Sequence, residues 1–209
     1  MAMTDPTTAA PRRVLNVGGG SKTIPIPAHY AGWEHVLLDL NPAVGPDVVC
    51  DARELDTLAG AQFDAIYCSH NLEHYYRHDT ARVLRGFLHV LKPDGFAEIR
   101  VPDLRAVMQK VIRDNLDLEA VLYNSDAGPI NVLDVIYGLA REIEESGSDF
   151  QAHKAGFTPQ SLGRTLEHAG FPLILMFASP EAYECRALAF RAMPSPYHQQ
   201  LLKLPRPRR

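Results

Sequence analysis

Three consecutive glycines, Gly18 to Gly20, interrupt an apolar run in the segment V-L-N-V-G-G-G-S-K near the start of the chain. A short apolar run that ends abruptly in glycine is typical of a buried strand breaking into a tight turn. Glycine accepts positive φ angles and has no Cβ, so a ligand can approach its main chain closely. Such a turn at the carboxyl end of a strand is where open α/β sheets bind nucleotide-like ligands.

The residues after the glycines bear on which ligand fits. A dinucleotide site requires G-x-G-x-x-G, with a helix beginning inside the motif to hold the pyrophosphate, but Thr23 stands at the third glycine position. Pro25 and Pro27 follow, and neither fits inside a helix. The sequence therefore favours a ligand with adenosine and without phosphate, such as S-adenosylmethionine. A glycine turn without a ligand stays open as an alternative.

Two carboxylates end the next two strand-like segments. Asp39 closes H-V-L-L-D, and Asp51 closes D-V-V-C-D. An ionised carboxylate only accepts hydrogen bonds and can receive two adjacent hydroxyl donors, which suits a ribose diol. The alternatives are a loop or capping carboxylate at Asp39 and, for Asp51, the cap of the turn that begins at Arg53.

The segment H-N-L-E-H, residues 70–74, matches an inverted zinc-protease motif. Two histidines four residues apart on a helix can share one face and bind a metal. Zinc needs a third protein ligand, however, and these residues directly follow a strand. We therefore expect no metal here, and we expect Glu73 and His74 to pack and hydrogen-bond around the end of the fourth strand.

Hydrophobic patterning indicates how these residues are positioned. Apolar runs predict strands over 12–17, 35–39, 47–51, 63–69, 96–101, 173–177 and 185–190, the last two forming a closing antiparallel pair. Apolar residues at 3.6-residue spacing predict a helix over 77–92. The alternation predicts an α/β, Rossmann-like, mostly parallel seven-stranded sheet with an antiparallel final strand.

Residues 12–193 are expected to form a single domain. Residues 1–11 are expected to be a disordered lead, and residues 194–209 a mobile tail rich in proline and arginine. Residues 103–155 are expected to form a helical insertion or lid after the fifth strand. Its helices are predicted over 103–115 and 130–145, with no strand between them, and a further helix begins at Thr158 and ends at Gly170.

Composition excludes several function classes. The chain has 209 residues, a net charge of −4 and three dispersed cysteines, so we expect free thiols in a reducing compartment and no general attraction to nucleic acid or membranes. The first residues, M-A-M-T-D-P-T-T-A-A-P, do not match the charged and apolar regions of a secretion signal, and the apolar runs are shorter than about 20 residues, so we expect neither a secretion signal nor a membrane span. We expect a cytoplasmic protein that acts on a small-molecule substrate and has no nucleic-acid or membrane partner. A homodimer is compatible with these features.

The segments V-L-N-V-G-G-G, V-L-L-D-L-N-P, V-V-C-D-A-R-E-L, F-D-A-I-Y-C-S-H-N-L-E-H and V-L-K-P-D-G-F-A-E-I-R-V-P-D occur in this order over about residues 12–103. In this order and spacing the chain resembles the class I S-adenosylmethionine-dependent methyltransferases, in particular the small bacterial group related to the methyltransferase 11 family. The later F-T-P-Q-S-L-G-R-T-L-E-H-A-G-F is similar to the family's last helix and strand.

The resemblance implies roles for individual residues in binding S-adenosylmethionine. Asn16 stands where many relatives have an acidic residue that holds the cofactor's amino group, and Lys22 replaces a third glycine. Asp39 matches the carboxylate that takes both ribose hydroxyls. The remaining matches are Gly18 and Gly20 beneath the methionine and ribose, Leu40 beside the adenine, Asp51 and Ala52 at the adenine edge, and Ser69 and His70 near the methyl group.

Methyl transfer from a sulfonium is an in-line displacement in which the enzyme mainly aligns the acceptor. A general base is needed only if the acceptor must lose a proton. The candidates are His70, His74, Tyr75, Tyr76 and His153, of which His70 and His153 are the predicted catalytic residues. Tyr75, Tyr123 and Tyr137 are candidate substrate contacts. The favoured function is methyl transfer to oxygen or nitrogen of a small-molecule or saccharide-type acceptor; the alternatives are a non-catalytic adenosylmethionine-binding scaffold and an NAD(P)-dependent oxidoreductase.

Overall fold

A computed structural model describes residues 10–125, 128–179 and 182–204. The strands are β1 Arg13–Val17, β2 Glu34–Asp39, β3 Val48–Val49, β4 Phe63–Ser69, β5 Leu91–Pro102, β6 Val121–Ser125, β7 Gly128–Asn131, β8 Leu173–Ser179 and β9 Glu184–Phe190. The α-helices are α1 Arg77–Val90, α2 Leu104–Arg113, α3 Val132–Tyr137, α4 Ala140–Ser146, α5 Pro159–Ala169 and α6 Pro196–Leu201. Short 3-10 helices include Ala28–Tyr30, Ala52–Thr57 and Leu72–His74.

Seven strands form one sheet in the order β3-β2-β1-β4-β5-β9-β8. The pairings from β3 to β5 are parallel, and β9 runs antiparallel to both of its neighbours. The predicted Rossmann-like, mostly parallel seven-stranded sheet with an antiparallel final strand is confirmed. The strand order reverses between β1 and β4, which is the position where open α/β sheets bind ligands beyond the carboxyl ends of their strands.

The two faces of the sheet are covered differently. On one face α1 and α5 bury a large apolar core that includes Phe87 and Leu166. On the other face Val14 and Phe96 pack against the 3-10 helix Ala28–Tyr30 and the residues around α6. Between β1 and β2, where every connecting residue is described, the 3-10 helix Ala28–Tyr30 is the only helical segment. The two prolines of this connection predict the lack of a longer helix.

The expectation of a mobile tail is corrected for residues 195–204. Ser195 caps α6, and Leu202 and Leu204 are each only 9% exposed. The physical reason is that the second face of the sheet has only a single 3-10 turn from the β1–β2 connection and needs further apolar cover. Most of the predicted disordered lead and the tail arginines lie outside the described residues.

The insertion also differs from the prediction of two helices without a strand between them. β6 and β7 form a separate antiparallel hairpin, and the second predicted helix is broken into α3 and α4. Gly138 has a φ of +95°, and a Cβ there would lie 2.0 Å from the main-chain oxygen of Gln151. This close approach of two chain segments ends α3 after six residues.

The turn after β1 is tied to the end of β2. The N–H of Gly18 donates to the Leu38 carbonyl at 2.8 Å, which continues the β1–β2 pairing beyond the last residue of β1. Gly18 and Gly20 have φ angles of +68° and +65°. The side chain of Asn71 packs so closely on Gly18 that a Cβ at that position would lie 2.0 Å from Nδ2.

A buried ionic cluster joins β5 to β9 and to the segment after the glycine turn. The fully buried Glu98 carboxylate accepts hydrogen bonds from Tyr30 Oη at 3.1 Å, Arg100 Nη2 at 2.9 Å and Arg186 Nε at 2.7 Å, and it lies 2.9 Å from His29 Nε2. Burial alone would raise the pKa of Glu98, but His29 and the two arginines lower it from 4.5 to about 2.

We expect Gly18→Ala to destabilise the fold more than Gly20→Ala. Both substitutions place alanine at a positive φ, which costs about 1–2 kcal/mol. Only at Gly18 does the new Cβ also collide with Asn71, since the nearest atom at Gly20 is Ile24 Cδ1 at 3.8 Å. Urea unfolding measures both variants, and the penalty of Gly18→Ala should shrink in an Asn71→Ala background. An equal penalty in both backgrounds would show that the collision is not its cause.

We expect Glu98→Gln to lower the free energy of unfolding by roughly 3–5 kcal/mol at neutral pH, because the partly buried Arg100 and Arg186 lose the buried carboxylate that pairs with both. The folded-state pKa of Glu98 lies below its ordinary value of 4.5. The ionised group therefore contributes stability above about pH 4.5 that is lost as pH falls toward 2. Unfolding curves between pH 7 and about pH 3 should show the gap to wild type narrowing, whereas the exposed control Glu167→Gln should change little. A constant gap would contradict the assignment.

Candidate active site

A cleft of about 490 Å³ opens at the carboxyl ends of β1, β2 and β4. This is the point of strand-order reversal, and the volume lies in the range of small-molecule sites. Its wall combines the glycine turn, the ends of these strands, the 3-10 helix after β4 and the loop after α4. The residues central to its chemistry are Gly18, Gly20, Asp39, Leu40, Asp51, Arg53, His70, Asn71, His74, Tyr75, Tyr76 and Lys154.

The carboxylate of Asp39 lies between the glycine turn and the cleft. Its Oδ2 accepts from the Gly20 N–H at 3.1 Å, and its Oδ1 accepts from the Asn41 N–H at 2.9 Å. Each oxygen has a second lone pair, so the carboxylate can still accept two more hydrogen bonds. The predicted neighbours Gly18, Gly20 and Leu40 line the same cleft, and Leu40 is 41% exposed there.

Asp51 lines the cleft but is also engaged within the protein. Its Oδ1 accepts from the Arg53 N–H at 2.8 Å, which caps the 3-10 helix Ala52–Thr57. The Arg53 guanidinium donates to both carboxylate oxygens. The capping alternative for Asp51 is therefore observed. Ala52 is only 1% exposed and its side chain packs in the core rather than in the cleft.

A second cavity of about 310 Å³ adjoins the glycine turn on the side of β4. The predicted residues Asn16, Ser69 and His70 line it together with Gly18 and Gly20. Asn16 is only 3% exposed, and its Nδ2 lies 3.1 Å from His35 Nε2. Because the amide nitrogen of Asn16 donates to this ring, its carbonyl oxygen is the atom left for another donor.

His70 is held between two carboxylates. Its Nε2 lies 3.2 Å from Glu184 Oε2, and its Nδ1 lies 3.5 Å from Glu73 Oε1. Burial alone would lower the pKa of His70, but the hydrogen bond to Glu184 and the neighbouring Glu73 raise it to about 9. At neutral pH the ring is therefore a cation, which cannot accept a proton.

His153, the second candidate base, does not line either cavity. It approaches His74 from the loop after α4, with ring centroids 4.9 Å apart. Burial lowers the pKa of His153, so the ring is neutral at neutral pH. Its Nδ1 lies 2.9 Å from the Val135 carbonyl oxygen and donates to it.

Of the three tyrosines predicted to contact the substrate, only Tyr75 lines the cleft. Burial raises the pKa of its hydroxyl, and a hydrogen bond from the Ala52 main chain opposes that rise. The structure places the other two elsewhere: Tyr123 stacks on Tyr183 with centroids 6.0 Å apart, and Tyr137 is 64% exposed. Both lie on the part of the insertion that packs on α2 or faces outward.

Several lining residues were not predicted as site residues from the sequence, among them Arg53, Asn71 and Lys154. Arg53 follows Asp51 by two residues, the spacing of a cap and its ion-pair partner, and that signal is present in the sequence. Asn71 and Lys154 carry no comparable signal. Lys154 reaches the cleft only because its main-chain N–H donates to the Glu73 carbonyl at 2.8 Å.

The methyltransferase domain family matches residues 3–175 of the chain. A comparison with curated proteins finds no match. Among solved structures, a SAM-dependent methyltransferase from Archaeoglobus fulgidus is 17% identical, with a TM-score of 0.53 and 86% of each chain covered. A protein from Pyrococcus horikoshii OT3 is 13% identical, with a TM-score of 0.55 over 87% of this chain and 82% of that one.

An O-methyltransferase family protein from Burkholderia thailandensis is 12% identical, with a TM-score of 0.50 over 87% of this chain and 51% of that one. Likeness at such low identity shows the fold, while the family match covers most of the chain. The predicted membership of the class I methyltransferases, with S-adenosylmethionine as the cofactor, is confirmed. The chain belongs to the methyltransferase domain family.

Proposed function

We propose that this methyltransferase transfers the methyl group of S-adenosylmethionine to oxygen or nitrogen of a small-molecule or saccharide-type acceptor. The observation that carries the proposal is the position of Asp39. Its carboxylate is fixed by two main-chain N–H groups, lines the cleft, and lies directly beside the glycine turn. A ribose diol donating to its remaining lone pairs would complete its hydrogen bonding.

Two further atoms support the fit of the cofactor's amino acid end. Asn71 Oδ1 is buried and has no hydrogen-bond partner among the described residues, although Asn71 lines the cleft. Buried acceptors are almost always paired, so an unpaired one indicates a donor supplied by a ligand. The free carbonyl oxygen of Asn16 offers a second acceptor on the other side of the turn, suited to an ammonium group.

The adenine is proposed to lie between Leu40 and Tyr75. Leu40 is an exposed apolar side chain at this wall, and a tyrosine ring provides an opposing flat surface. Arg53 donates to both oxygens of Asp51, so a contact between Asp51 and the adenine amino group must share those oxygens with the guanidinium.

When bound, S-adenosylmethionine supplies an electrophilic methyl group on a sulfonium. The chain's own part is to position the acceptor in line, and such alignment can contribute up to about 7–11 kcal/mol in the best cases. Neither predicted general base is placed to act at neutral pH, because His70 is a cation and His153 does not line the cleft. We therefore infer that alignment of the acceptor is the main contribution of the chain.

The proposed class of acceptor rests on the size and polarity of the cleft. Beyond the glycine turn its wall includes Tyr76, Asp149, Phe150 and Lys154. Asp149 and Lys154 form an ion pair at 3.1 Å, and the Lys154 ammonium lies 5.6 Å from the centre of the Tyr76 ring. Charged and aromatic groups around a confined space suit a hydroxylated or amine-bearing small molecule.

A non-catalytic adenosylmethionine-binding protein is the second candidate. The observation that favours it is the amide of Asn16, which stands where many relatives have a carboxylate. Labelled methyl transfer into a metabolite extract separates the two: transfer supports the enzyme, while cofactor binding without transfer to any acceptor supports the scaffold.

We expect Asp39→Asn to weaken binding of S-adenosylhomocysteine by roughly ten- to a hundredfold, since a hydrogen bond to a charged acceptor contributes about 1.5–3 kcal/mol. Isothermal titration calorimetry measures the affinity. Glu34→Gln is a matched control, because Glu34 lies at the other end of the same strand and pairs with Arg13 at the surface. Equal affinity in wild type and Asp39→Asn would overturn the proposed ribose contact.

A further inference from the structure

Glu73, His74 and His153 bring three potential metal ligands together beside the cleft. One ligand atom from each residue lies within 4.8 Å of the other two. Glu73 and His74 belong to the 3-10 helix Leu72–His74 that follows β4, and His153 arrives from the insertion about eighty residues later. The sequence argument against a metal was the lack of a third ligand, and the tertiary structure supplies one.

The carboxylate of Glu73 is unusual in its environment. Its side chain is only 1% exposed, and neither oxygen has a hydrogen-bond partner among the described residues. The nearest cationic group is His70, whose Nδ1 lies 3.5 Å from Oε1, beyond normal hydrogen-bonding distance. Buried charges in proteins are paired or coordinate metals, and the long contact with His70 leaves both oxygens of Glu73 free to accept a further ligand.

Both histidines present a free ring nitrogen. His74 Nδ1 lies 3.2 Å from the Ala152 carbonyl oxygen, and His153 Nδ1 lies 2.9 Å from the Val135 carbonyl oxygen. A carbonyl oxygen only accepts, so in each neutral ring Nδ1 carries the proton and Nε2 carries the lone pair. Metal-ligating histidines characteristically donate their other N–H in this way, which fixes the tautomer and the ring orientation.

We propose that Glu73, His74 and His153 bind a divalent transition-metal ion through one carboxylate oxygen and two Nε2 atoms. Two histidines and one glutamate form the ligand set of catalytic zinc sites, which keep a further position for water or substrate. Two imidazole ligands favour such an ion over Mg²⁺ or Ca²⁺, which prefer oxygen ligands. His70 is not a ligand, because Glu184 engages its Nε2.

The geometry requires a modest closure around the ion. Ligand atoms about 2.1 Å from a tetrahedral ion are roughly 3.4 Å apart, so the widest separation must contract on binding. Rotation of the His74 and His153 side chains would provide this movement, because main-chain hydrogen bonds to Tyr137 and Glu73 hold the loop that carries His153. His74 also lines the main cleft, which places the ion at the cleft wall.

The test titrates chelator-treated full-length protein with Co²⁺, followed by visible absorption, and with Zn²⁺, followed by calorimetry. We expect one equivalent to bind, with Co²⁺ d–d bands of nitrogen and oxygen ligands and no sulfur charge-transfer band from the three free cysteines. His153→Gln and His74→Gln should each weaken the affinity tenfold or more. His168→Gln is the matched control, an exposed histidine on α5, and should bind like wild type.

Circular dichroism verifies folding of each variant, and if His74→Gln does not fold, the loop variant His153→Gln decides. Lack of stoichiometric binding by wild type overturns the proposal, as does unchanged affinity in His153→Gln. A sulfur charge-transfer band would assign the ion to a cysteine instead and would also overturn it. Because metal binding is measured without S-adenosylhomocysteine, this outcome is independent of the cofactor titration that tests the proposed function.

Discussion

The tether between the glycine turn and the end of β2 determines the shape of the site. The Gly18 N–H donates to Leu38, and the Gly20 N–H donates to the carboxylate of Asp39. These two bonds hold the turn open at positive φ angles while they orient Asp39 toward the cleft. A side chain at Gly18 would collide with Asn71, so the same constraint brings the segment after β4 against the turn and closes the cleft on its other side.

The insertion after β5 completes the wall of the cleft that opens at the strand ends. It packs its own small apolar core around Val107, Ile130 and Val135, and the loop after α4 then returns to the end of β4, where two main-chain N–H groups donate to the Glu73 carbonyl. That return places Lys154 in the cleft wall and His153 against His74. The insertion thus contributes side chains to the wall of the cleft and to the cluster beside it.

At the end of β4, His70 carries a positive charge rather than acting as a neutral base. Glu184 and Glu73 hold His70 as a cation, while the larger cluster around Glu98 anchors the neighbouring strands. The fold itself is shared with methyltransferases at very low identity, so the architecture does not identify the acceptor. Positioning is accordingly the main contribution expected of the chain.

The sequence by itself indicated the buried strands, the chain breakers, the glycine turn and the carboxylates at the strand ends, because these follow from local periodicity and backbone chemistry. It therefore predicted that Asp39 and the glycines lie together at one edge of the sheet, and it gave capping of the next turn as the alternative for Asp51. Only the tertiary structure decided that Tyr123 and Tyr137 lie away from the cleft, that residues 195–204 cover the sheet, and that His153 meets Glu73 and His74. Those outcomes depend on contacts between residues far apart in the chain, which local patterns do not encode.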